Sequence, residues 1–135
     1  MVVYMSRELI ERWFKSIPEY ERDLPIVIHN GIAYTPRMIL DEVRRGSTIG
    51  KVLQSKIERG SFGTTPEEAR NLAIIRLRQV LSRYPPDKPI IATLTFPPRT
   101  YTPSELIREI ESGSRIGNRF IDAEINHVKR LVNLR

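Results

Sequence analysis

The sequence predicts a mostly helical α+β protein, built as two pseudo-symmetric helix–strand–helix–turn–helix repeats around a shared core with a small β-sheet. Three observations predict it. The stretch YTPRMILDEVRRGSTIGK at residues 34–51 returns as YTPSELIREIESGSRIGN at residues 101–118, a fixed offset of 67 with eight of eighteen positions identical. Upstream of each copy lies a short, Pro-led, β-branched run of the kind that forms strands. Upstream of each run, apolar residues recur at helical period.

A single domain over residues 1–135 follows from size, because each repeat (about 6–60 and about 66–133) is too small to bury much apolar surface by itself. The halves are expected to share one core, related by an approximate two-fold axis as if a homodimer had been fused. With 40% hydrophobic and 28% charged residues, the chain has the composition of a folded globular protein.

The first helix is predicted over residues 6–17, where Leu9, Ile10, Trp13, Phe14 and Ile17 share one stripe. Pro25-Ile26-Val27-Ile28 reads as a strand, and His29-Asn30-Gly31 offers a tight turn into Ile32-Ala33-Tyr34. Thr35-Pro36 then starts a short helix, the hydroxyl capping it and the proline sitting where its missing N–H costs nothing. Gly46 suits the left-handed residue that ends that helix, and Ser47 suits the N-cap of the next. Tyr34 and Tyr101 are expected to pack against these corners.

Gly60-Ser61-Phe62-Gly63-Thr64 is the candidate linker between the repeats. Thr65-Pro66-Glu67-Glu68 is a capping box opening a helix over residues 66–83, with Ala69, Leu72, Ala73, Leu77, Val80 and Leu81 on its apolar stripe. The run from Pro89 to Phe96 is the second strand, expected to meet the first in a central sheet. Pro97-Pro98-Arg99 reads as a longer loop rather than a hairpin turn. Thr102-Pro103-Ser104-Glu105 is another capping box, and Gly113-Ser114 repeats the corner. Trp13, Phe14, Ile26, Ile28, Ile39, Val43, Leu72, Val80, Ile91, Leu106, Ile110, Phe120, Ile121 and Val128 are the expected core.

Several functions are excluded by what the residues cannot do. The absence of cysteine removes disulfides, thiolate metal sites and thiol nucleophiles together. No run approaches the roughly 20 apolar residues of a spanning helix, and no basic segment at the start leads into a long apolar one, so no membrane role and a cytoplasmic location are expected. Neither His29 nor His127 has a second ligand at metal-binding spacing. Gly46 to Lys51 falls one residue short of a phosphate loop, and Val52 stands where its magnesium-binding hydroxyl would be. No catalytic residues, cofactor or metal emerge, and the expectation is a non-enzymatic binding protein.

Twenty-two basic and 16 acidic residues give a net charge of +6, with a pI near 10.0. Such a balance points to a polyanionic partner, above all nucleic acid. A salt-bridged surface in a heat-adapted protein, with two Gln and five Asn, accounts for it as well.

Gly50 and Gly117 sharpen the question. Each falls near the third position of a helix, where glycine costs about 1 kcal/mol against alanine. Something must approach the backbone there, either a crossing helix or the symmetry-related copy, or else an anion held on the amides of a helix start with the Ser hydroxyl beside it. The candidate phosphate-binding residues are Ser47, Gly50 and Lys51 at the first corner, and Ser114, Arg115, Gly117 and Arg119 at the second. Arg44 and Arg45 precede the first turn, and Arg76, Gln79 and Arg83 form a supporting stripe on helix 66–83. The two turns resemble helix-hairpin-helix DNA-binding elements, which offer turn amides to a phosphate, but Thr48 and Arg115 stand where those elements carry their first glycine. The alternative is a protein-interaction or assembly module whose duplicated corners dock a partner chain or a second copy; Phe62 in its glycine-flanked loop, if exposed, is a candidate anchor for either type of partner.

Overall fold

The computed structural model describes residues 7–61, 65–92 and 99–132, so Phe62 and the strand residues expected at 93–96 lie outside the described residues, as does the side chain of Ile91. The chain forms two compact units, Met1–Leu72 with His127–Arg135, and Ala73–Asn126. It is mostly helical, with two short antiparallel hairpins.

The first unit holds α1 (Arg7–Ser16), a 3-10 turn at Glu19–Glu21, β1 (Val27–His29), β2 (Ile32–Tyr34), α2 (Pro36–Arg45) and α3 (Thr48–Glu58). Asn30 and Gly31 both have positive φ, 50° and 74°, the double left-handed turn whose twist suits a two-residue hairpin. It sets Val27 opposite Tyr34 and His29 opposite Ile32. Ile10, Trp13, Ile17, Leu24, Ile26, Ile39, Leu53 and Ile57 are buried. The Trp13 indole N–H donates to the carbonyl of Leu131 at 2.8 Å, which satisfies the one polar atom of a buried ring.

In the second unit α4 (Pro66–Leu81, from Ala73 onward), β3 (Ile90–Ala92), β4 (Arg99–Tyr101), α5 (Pro103–Ser112) and α6 (Arg115–Leu131, up to Asn126) follow in order. Its core is Ala73, Leu81, Tyr101, Leu106, Ile110 and Ile121, with Leu77, Ile116 and Phe120 packed against it.

The first hairpin is the expected one, but the sheet departs from expectation. β1 pairs with β2 and β3 with β4, so the described residues form two separate two-stranded sheets instead of one central sheet. Local pairing closes a short loop, whereas a central sheet must bring together strands some sixty residues apart. The second copy also makes a hairpin despite Pro97-Pro98, because β4 begins after the prolines and every residue paired in it can donate an N–H.

Four expected core residues, Phe14, Val43, Val80 and Phe120, are only half-buried. For Phe14 the reason is visible: the guanidinium groups of Arg22 and Arg37 lie 4.7 and 5.7 Å from its ring centre. Arg76, placed by sequence on a surface stripe, is fully buried, with its Nε 2.7 Å from a carboxylate oxygen of Glu124. The ion pair is what lets a guanidinium occupy an inward position of α4.

Candidate polyanion-binding corners

Both corners are built by the same local chemistry. Thr35 and Thr102 cap α2 and α5 with nearly equal dihedrals (φ −83°, ψ 160° and φ −82°, ψ 158°), each hydroxyl accepting from the amide three residues on. Gly46 and Gly113 close those helices at φ 67° and 70°, a left-handed conformation that glycine adopts without penalty. Ser47 and Ser114 then cap α3 and α6, accepting from the amides of Gly50 at 2.9 Å and Gly117 at 3.0 Å.

The two glycines are explained by the crossing helix. A Cβ on Gly50 would collide with the backbone of Glu42 and lie 2.9 Å from the amide nitrogen of Val43. One on Gly117 would collide with the carbonyl of Glu109 and lie 2.8 Å from the α-carbon of Ile110. Both contacts are with backbone, which cannot swing aside as a side chain can.

Electrostatically the corners differ. Ser47 donates to a carboxylate oxygen of Glu42 at 2.6 Å, so the start of α3 already faces an anion of its own chain. Ser114 donates to the carbonyl of Glu109 at 3.1 Å instead. Arg44 and Arg45 are engaged as well, with Glu11 at 2.9 Å and Glu42 at 3.4 Å. The bond to Arg44 holds the Glu11 carboxyl below the ordinary carboxylate value.

Lys51, Arg115 and Arg119 are exposed, while Gly50 and Gly117 are buried and the two serines half-buried. Lys51 and Arg115 make no ion pair among the described residues. Gln79 and Arg83 are exposed on and just beyond α4, without the buried Arg76. His127 bonds Glu21 at 2.8 Å, and no group of three metal-ligating side chains occurs among the described residues. Among them, too, no helix is long and apolar enough to cross a membrane.

Sequence reasoning missed Lys56. It is buried on α3 between Leu53 and Ile57, and its ammonium donates to the carbonyl of Ile28 at 3.1 Å. Burial lowers its pKa below the ordinary 10.5, against the attraction of Glu68. Its place on the apolar stripe, three residues after Leu53, was the available signal. The Tyr101 hydroxyl is another buried polar group, with no hydrogen-bond partner among the described residues, and the guanidinium of Arg99 lies 5.1 Å from the centre of its ring.

The chain matches no protein-family profile, no curated protein and no solved structure.

Proposed function

We propose that this is a small non-enzymatic binding protein that engages nucleic-acid phosphates through side chains at its two helix corners. The observation that carries the reading is the charge excess. With 22 cationic and 16 anionic side chains the chain carries a net charge of +6, and Lys51, Arg115 and Arg119 at the corners stand at the surface. Phosphate contact is the partner chemistry that such an excess serves best, and it gives affinity without sequence information.

The geometry favours side chains over backbone amides as the contacting groups. Ser47, Gly50, Ser114 and Gly117 spend their polar atoms on one another and on the crossing helix. The exposed side chains of Lys51, Arg115 and Arg119 are the groups proposed to reach a phosphate. The duplication of the corner is read as a doubled contact surface.

Retention of the purified protein on duplex DNA and on RNA at low salt is the test, with affinity followed as salt rises. Several phosphate contacts predict a steep linear fall of log affinity with log salt. Absence of retention on both would refute the reading. The protein-interaction alternative is favoured by the exposure of Tyr20, Ile32 and Met38, and it predicts association that salt leaves unchanged.

A further inference from the structure

Helix α6 differs from its counterpart α3 in what it presents to solvent. Arg115, Arg119, Asp122 and Asn126 follow one another at intervals of four, three and four residues, and all four are exposed. At 100° per residue they fall within an arc of roughly 60°, which makes one stripe about 16 Å long on the helix surface. The opposite side, Gly117, Ile121 and Val128, is buried. At the aligned positions stand Thr48, Val52 and Ser55 on α3 and Arg59 at its C-cap, of which Val52 and Ser55 are half-buried. The stripe therefore belongs to α6 alone.

Its residue types are those that read base edges. Arginine bonds guanine, asparagine bonds adenine in bidentate fashion, and aspartate accepts from the amino group of cytosine. The two arginines occupy the first turns of the second helix of a helix–turn–helix, the end that enters the major groove in proteins of that architecture. Charge complementarity selects the occupant, because the stripe opens with two cations and the chain carries an excess of six. Asp122 would weaken a purely phosphate-binding surface, whereas against base edges it can accept from cytosine.

We propose that α6 is a recognition helix, laid in the major groove of duplex DNA and reading a short run of base pairs through Arg119, Asp122 and Asn126, with Arg115 at the groove edge. The proposal rests on the nucleic-acid reading above and adds base discrimination to it. It also assigns the two corners unequal tasks, Lys51 at the first contributing phosphate contact only.

Binding-site selection from a randomised duplex pool tests it, on the full chain and on Asp122→Ala, Asn126→Ala and Lys51→Ala. The native chain should enrich a short sequence. Asp122→Ala and Asn126→Ala should each relax preference at one position by roughly 5- to 100-fold. Lys51→Ala should weaken binding to all sequences alike. Unchanged melting of the three variants, expected for exposed helix positions, confirms that folding is not what changed. Retention without any enriched sequence, or enrichment indifferent to Asp122 and Asn126, overturns the recognition helix and leaves phosphate binding standing. Preference for single-stranded RNA over the duplex overturns it likewise. No retention on any nucleic acid overturns both readings at once.

Discussion

Gly117 lies against the carbonyl of Glu109 so closely that no side chain fits between α6 and α5, and Gly50 stands in the same relation to Glu42 on α2. A methyl group at either position must push a backbone aside. Gly50→Ala and Gly117→Ala should each destabilise by about 1–3 kcal/mol through overpacking, outweighing the ~1 kcal/mol by which alanine favours a helix. Thermal or urea melts decide it, and a variant as stable as the native chain would show that the helices can part cheaply.

The hydroxyls of Ser47 and Ser114 satisfy the amides of the glycines three residues on. Replacing either with alanine should cost about 0.5–2 kcal/mol. Ser47→Ala should be the costlier, because it also removes the 2.6 Å bond to the Glu42 carboxylate. Equal urea midpoints for the two variants would argue against that ranking.

In the second unit the buried Arg76 pairs with Glu124, whose side chain is 17% exposed. Arg76→Ala leaves a largely desolvated carboxylate without its guanidinium and should cost about 3–5 kcal/mol. The double variant Arg76→Met with Glu124→Leu removes both charges while keeping volume, and should recover most of that loss. A double variant as unstable as the single one would mean that the unpaired carboxylate is not the source of the cost.

Lys56 makes stability depend on alkaline pH. Burial lowers its folded pKa, so below 10.5 there is a window in which the unfolded chain holds a proton that the folded chain has released. In that window stability rises with pH, and its contribution is lost again as pH falls through the folded value. Relative to Lys56→Met, which has no such proton, the native chain should gain stability as pH climbs from neutral toward 10.5. Urea midpoints of the two proteins across that range measure it, and a difference independent of pH would contradict the assignment.

Much of the local structure was legible in the residues. Thr-Pro, Gly-Ser and the apolar stripes fixed where the helices start, turn and stop, because caps, left-handed glycines and helical periodicity depend on neighbours within four residues. Thr35 and Thr102, and likewise Gly46 and Gly113, take nearly the same dihedrals for that reason. The hairpins were half legible: Asn30-Gly31 announced the first, and the second formed although its prolines argued against a tight turn.

What the sequence by itself determined, then, was the order of the helices, the first hairpin, the two corners and the close approach of something to the backbone at Gly50 and Gly117. Tertiary structure decided what those glycines face, which is a crossing backbone. It also decided that Arg76 points inward onto Glu124, that Lys56 is buried beneath Ile28, and that Arg44 and Arg45 are engaged by Glu11 and Glu42 while Lys51 and Arg115 make no ion pair among the described residues. Each of these depends on a partner brought close by packing, and side chains that meet through space leave no spacing in the chain by which to find one another.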